Sequence, residues 1–165
     1  MRKVKGFILL WLFTMIAWVL GTGTFRIDEL VTGLVLSFGV VVLFASFTSL
    51  YRDIKITPKS IVLMPVYLIV FLWEMIKSNI DVALRVINPA MPIKPGVVQL
   101  KTRLHSPLAK LILANSITLT PGTLTMDVKD DSLFIHWIDV EAENIEEATR
   151  KVGWKFERIL KEIIQ

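Results

Sequence analysis

Residues 30–50 form a run of 21 apolar or small polar side chains without a single charge. At about 1.5 Å per helical residue, such a run matches the roughly 30 Å hydrocarbon thickness of a bilayer. A helix that is apolar all round belongs deep in a large core or in lipid, and a chain of 165 residues offers lipid as the simpler host. A second apolar stretch, 6–25, precedes it behind Arg2, Lys3 and Lys5. That pattern resembles a secretory signal, but Trp11 and Trp18 lie inside it, no small-residue cleavage site follows, and the next apolar run begins almost at once. It reads as a retained first span. Arg26, Asp28 and Glu29 form the tight connection, so the two spans make a hairpin. Gly33 and Ser37 supply a small-xxx-small step on which a neighbouring helix can pack closely.

A third segment, 59–80, is weaker. Pro58 is well placed to start a helix, but the uninterrupted apolar core covers only 61–73, and Pro65, Glu74 and Lys77 fall within the length a full span needs. Beyond Trp73 the pattern turns amphipathic, with Ile76, Ile80, Ala83, Leu84 and Ile87 at helical spacing. One long helix is expected, leaving the membrane near Lys77 and ending before Asn88, which precedes a proline. Residues 1–87 thus read as a membrane region of two to three transmembrane helices. Glu74 is an ionisable group at membrane depth, which marks a candidate site. Lys77 and Asp81 follow at one-turn steps, so an interfacial ion-pair ladder, a cation or proton path, and a partner contact are all open readings.

Charge gives conflicting topologies. Arg2, Lys3 and Lys5 before the first span, and Arg52, Lys55 and Lys59 after the second, favour the cytosolic side for both. Three crossings then put the C-terminal half outside. Yet Lys77, Arg85, Lys94, Lys101, Arg103 and Lys110 follow the third segment and favour the cytosol as well. Either the third segment does not cross fully, or the N-terminus is forced outside.

Asn88, Pro89, Pro92, Pro95 and Gly96 make 88–96 a proline-dense, semi-rigid connector between the halves. After it, 97–165 has the mixed composition of a water-soluble fold. A short strand at 97–100 precedes a helix opened by Ser106 and Pro107, which runs from Leu108 to about Asn115. A turn at 120–123 follows, with Pro121 presetting the first angle and Gly122 permitting the next. Strands at 124–128 and 133–140 form a hairpin, and a helix with a clean apolar stripe runs from Ile145, opened by Asn144 and Glu147. The order strand, helix, strand, strand, helix describes a small α+β domain, and nearly 80 residues can just sustain its core.

The chemistry classes narrow quickly. The chain has no cysteine, which removes disulfides, thiolate metal sites and a cysteine nucleophile. His105 and His136 lack metal-ligand spacing, and no phosphate loop, dinucleotide fingerprint or nucleophile elbow is present. No catalytic, cofactor or metal residues are assigned. His136 alternates with Phe134 and Ile138, which suggests a packed or interface histidine. A net charge of +4 suits anionic head groups better than nucleic acid. The remaining feature is a hydroxyl-rich run: Asn115, Ser116, Thr118, Thr120, Pro121, Gly122 and Thr123. It is suited either to ion or phosphate binding or to satisfying its own backbone.

The string ANSITLTPGTLT, the upstream NPAMPIKPGVV and the later pair His136 and Trp137 resemble the E subunit of the multisubunit Mrp-type Na⁺/H⁺ antiporters over almost the whole chain. The resemblance implies a non-enzymatic accessory subunit needed for assembly and ion exchange, with the ion pathways in larger partner subunits. It also implies a multi-pass protein of the cell membrane whose hydrophilic domain is cytosolic. Similar modules occur in archaeal membrane-bound hydrogenases and sulfur-reducing complexes, so those are alternative settings. A membrane-tethered module that binds a ligand or peptide by itself is the alternative from another class.

Overall fold

The fold is taken from a computed structural model and described for residues 2–44 and 57–164, excepting the side chains of Arg2, Lys3 and Lys5. Two compact units divide the chain, Met1–Ile54 and Lys55–Gln165.

The first unit holds α1 (Arg2–Thr22) and α2 (Ile27–Leu43). Gly23, at φ +63°, lies in the reversal, and Arg26 clasps Asp28 there at 3.1 and 3.2 Å. The second helix starts at Ile27 rather than at residue 30, so Asp28 and Glu29 occupy its first turn, where acidic groups complement the helix N-terminus. Gly33, Ser37 and Val41 are its buried residues, one per turn. A Cβ on Gly33 would lie 2.3 Å from Trp18 Cδ1, and the Trp18 indole N–H donates to the Glu29 carbonyl at 3.0 Å. The absent side chain therefore makes room for an indole. Residues 45–50, the end of the expected second span, lie outside the described residues.

The second unit opens with α3 (Pro58–Ile87). Thr57 caps it reciprocally with Ser60, at 3.1 Å to the Ser60 N–H and 2.8 Å from the Thr57 N–H to Ser60 Oγ. Among the described residues it is the one helix with the length and composition to cross a membrane. There follow β1 (Gly96–Lys101), α4 (Pro107–Leu119), β2 (Thr123–Lys129), β3 (Ser132–Trp137), α5 (Ile145–Ala148), a π turn at Thr149–Gly153 and α6 (Trp154–Ile164). The strands form one antiparallel sheet in the order β1-β3-β2. Its inner face and the helices bury Leu100, Leu113, Ile117, Leu133, Ile135 and Phe156.

Where one continuous last helix was expected, the π turn intervenes. Eight residues of ideal helix would leave Ala148 and Phe156 about 80° apart; the wider turn accompanies both facing the core, at 1% and 2% exposure. Helix α4 runs on to Leu119 rather than ending near Asn115. His136 is exposed, opposite Val97 and Leu124 on the outer face of the sheet, because Leu133 and Ile135 take the inner positions.

Helix α3 packs within the second unit. Leu63, Tyr67, Val70 and Phe71 pack against the core of the α/β elements, and the Tyr67 and Phe71 rings lie 6.2 and 6.5 Å from that of Phe156. Shielded residues recur at Ser60, Leu63, Tyr67, Phe71, Glu74, Ser78, Val82 and Arg85, the three-to-four spacing of a buried helix stripe. The boundary between compact units accordingly falls before α3. The segment 88–96 is held by hydrogen bonds. Ala90 N–H donates to Asn88 Oδ1 at 3.0 Å, Met91 N–H to the Asn88 carbonyl at 2.9 Å, and Val140 N–H to the Lys94 carbonyl at 2.9 Å. A segment joining elements of one packed unit has partners to pair with.

Candidate functional site

Two features singled out separately along the chain, the charges of α3 and the turn at 120–123, meet in one cleft of about 280 Å³ within the second unit. Its walls come from Glu74, Lys77, Asp81 and Arg85 of α3, the turn at 120–123, the exit of β3, and Lys151 and Lys155 near the C-terminus.

Helical geometry explains why α3 delivers its charges here: Glu74, Ser78, Asp81 and Arg85 succeed one another at three- or four-residue steps, so they stack on one side. In place of the ladder expected from Glu74 through Lys77 to Asp81, Glu74 pairs across the fold and Asp81 pairs one turn further along α3. Lys155 of α6 donates to Glu74. Arg85 donates to Asp81 at 2.8 Å, to Asp139 beyond β3, and to the Pro92 carbonyl at 3.0 Å. It also lies 3.7 Å from Glu141. One guanidinium therefore ties α3 to the connector and to the strand exit, a use for which its planar fork of donors is suited. The hydrogen bond to Asp81 is the largest influence holding the Arg85 pKa above its ordinary value. Lys151 reaches Glu147 at 3.3 Å and Glu141 at 3.6 Å. Among the described residues, Lys77 lines the cleft outside these ion pairs.

The turn is built as its residues dictate. Gly122 has φ +90°, and Thr123 N–H donates to the Thr120 carbonyl at 3.3 Å. A Cβ on Gly122 would meet Ile138 Cγ2 at 3.0 Å and Val82 Cγ2 at 3.5 Å. Bare backbone at this point leaves room for Ile138 at the exit of β3.

The hydroxyl run serves the backbone. Ser116 Oγ donates to the Ile112 carbonyl at 2.8 Å, Thr120 Oγ1 to Ser116 at 2.7 Å, and Thr123 Oγ1 to Ile117 at 2.6 Å. Thr118 Oγ1 accepts from Thr125 N–H at 3.1 Å. The Thr120 and Thr123 hydroxyls thus serve carbonyls in the last turn of α4, where intrahelical donors run out. Ser116 also meets the Tyr67 hydroxyl at 2.5 Å, which fixes α4 to α3. Asn115 is exposed beside them. Gly33 and Ser37 belong to the first unit and take no part. The partners Lys155, Asp139 and Glu141 were not foreseen, since nothing local in sequence links them to α3.

The arrangement can clamp: four basic and four acidic side chains line the cleft, and all but Lys77 are engaged in ion pairs. Among the described residues no group of three or more His, Cys, Asp and Glu is disposed to hold a metal ion.

Comparison with known proteins adds the family. The Na⁺/H⁺ ion antiporter subunit family matches residues 10–163. The Na⁺/H⁺ antiporter subunit E1 of Staphylococcus epidermidis is 32% identical over 160 residues, covering 87% of this chain and 95% of the relative. The corresponding Na⁺/H⁺ antiporter subunit of Alkalihalophilus pseudofirmus is 40% identical over 93 residues, covering 56% and 59%. A chain in the structure of the membrane-bound sulfane sulfur reductase, an archaeal respiratory membrane complex, superposes with a TM-score of 0.85 at 37% identity, covering 95% of this chain and 98% of that one. The chain belongs to the Na⁺/H⁺ ion antiporter subunit family.

Proposed function

We propose that this chain is a non-catalytic accessory subunit of a multisubunit membrane complex that exchanges Na⁺ for H⁺, where it supports assembly and ion exchange. The observation that carries the reading is the family match across both apolar and water-soluble halves, residues 10–163. In this reading α1 and the run 30–50 cross the cell membrane as a hairpin whose Gly33 and Ser37 side is committed to helix packing, and the domain 97–165 is cytosolic. Other membrane subunits and the bilayer are its partners. Glu74, and Asp81 through Arg85, serve the clamp that holds α3 to the domain, with Lys77 at its rim, and 120–123 shapes the cleft.

A second setting is a respiratory complex of the sulfur-reductase or hydrogenase kind, favoured by the 0.85 superposition. Affinity purification of the tagged chain from native membranes, with identification of co-migrating subunits, separates the two. Antiporter subunits without redox-active partners are expected; hydrogenase or sulfur-reductase subunits would reassign the complex. Purification of the chain alone, with a ligand raising the melting temperature of its domain, would instead favour a self-sufficient binding module.

A further inference from the structure

Helix α3 has a second face that nothing in its own unit covers. At 100° per residue, its five charged residues, Lys59, Glu74, Lys77, Asp81 and Arg85, fall within an arc of about 80° on or beside the stripe that meets the domain. The opposite side carries no charge over all 30 residues. It presents Val62, Ile69, Trp73, Ile76, Ile80 and Ile87, each at least half exposed.

Crossing a bilayer does not suit this helix, despite its length. Residues 59–74, its most apolar stretch, carry α6 alongside. Lys59 pairs with Glu162 at 2.6 Å at one end, the Tyr67 and Phe71 rings meet Phe156 in the middle, and Glu74 pairs with Lys155 further on. Arg158, Lys161 and Glu162 are exposed on α6. A transmembrane α3 would draw these charges into hydrocarbon, where each is costly.

We infer that α3 is an interfacial helix: it lies along the bilayer surface, its uncharged face in the boundary between headgroups and acyl chains, with the α/β domain on its aqueous side. Chemistry favours lipid over a neighbouring helix as the occupant. Close helix packing in membranes selects small residues, yet the small Ser60 and Ser78 face the domain, and branched or aromatic side chains dominate the uncovered face. Trp73 is the residue type enriched at the membrane–water interface. Lys77, exposed at the rim, can reach anionic head groups while its stem lies along apolar surface. The segment 51–57 alone separates the apolar run 30–50 from α3, which tethers the helix start within about 25 Å of that run's end.

This placement rests on the proposed membrane residence of the hairpin, not on which complex the chain joins. Two crossings followed by a surface helix put Arg2, Lys3 and Lys5 on the same side as the basic residues after residue 50, so the conflict between charge and topology disappears.

The chain has no cysteine, so single spin labels can be placed in the full protein reconstituted into phosphatidylcholine and phosphatidylglycerol vesicles. Val62→Cys, Ile69→Cys and Ile76→Cys sit on the uncovered face at seven-residue steps, about 10 Å apart along the axis. Oxygen against nickel-complex collision rates should place all three at one shallow depth, about 5–10 Å below the headgroups. Arg158→Cys should report water, and Phe13→Cys on α1 should report a deep site. Depths that change by about 10 Å per step, or all three labels in water, with Phe13→Cys still deep, would overturn the inference; the second result would leave a protein partner as the occupant. A label at Phe13 in water would instead sink the membrane residence on which it rests.

Discussion

Glu74 of α3 and Lys155 of α6 form a hydrogen-bonded ion pair across 81 residues of sequence. Both are largely shielded, with side-chain exposures of 16% and 30%, so the pair holds two helices together where water screens it least. Glu74→Gln keeps an acceptor for Lys155 but loses the charge. Complex assembly should be intact and Na⁺/H⁺ exchange in membrane vesicles reduced only partially; complete loss of exchange with normal assembly would place Glu74 on an ion path.

Substitution of Gly122 by Val should be damaging. Its φ of +90° is one that branched residues rarely adopt, and the new Cβ would meet Ile138 at 3.0 Å. A cost of roughly 1–3 kcal/mol is expected, read as a lower melting temperature of the full chain in detergent and weaker recovery with partner subunits. Normal assembly would show that the turn can move away from Ile138.

Phe156 is 2% exposed between the sheet and the rings of α3. Phe156→Ala should cost about 3–5 kcal/mol, and proteolysis should then cut at the loosened α3. The milder Tyr67→Phe removes one hydroxyl while Ser116 keeps its bond to Ile112, so a loss of about 0.5–1.5 kcal/mol is expected. Equal losses for the two variants would mean that packing of α3 on the domain contributes little.

Two carboxylates give the domain an acid limit. The bond from Lys110 holds the Asp131 carboxyl below its ordinary range, and the Glu143 N–H, followed by Lys151, does the same for Glu147. Folding thus favours their ionised forms. Their contribution is present above the ordinary carboxylate range and is lost as pH falls through the lowered folded values. The melting temperature of the full chain should fall on acidification, and Asp131→Asn with Glu147→Gln should flatten that fall.

Gly33→Leu should open the α1–α2 hairpin, since the Cβ alone would lie 2.3 Å from the Trp18 ring. Trp18 emission should shift when the indole loses its bond to Glu29. An unchanged spectrum with normal insertion would show that the helices can separate without consequence.

Local rules made much of the fold legible. Pro58, Pro107 and Asn144 announce helix starts, Pro121 with Gly122 announces the turn, and alternation gives the strands. All of these depend on neighbours within a few residues. The affiliation of α3 was hidden because its stripe of Leu63, Tyr67, Val70 and Phe71 sits in a helix that is apolar elsewhere too, so periodicity there does not say which side meets protein. Similarly, Glu74, Lys77 and Asp81 have ladder spacing; Arg85 takes Asp81 at an equally local step, but only tertiary packing shows that Lys155 takes Glu74. The cleft could be foreseen as pieces: its charges and its turn were each visible, but not their meeting.

The most direct test of the clamp is a charge exchange in the intact complex. Na⁺/H⁺ exchange should drop in vesicles carrying Glu74→Lys or Lys155→Glu alone and recover to at least about half of the parent level when both are present, as coupling between contacting residues requires. A double variant that assembles normally yet remains as inactive as the singles would contradict the clamp.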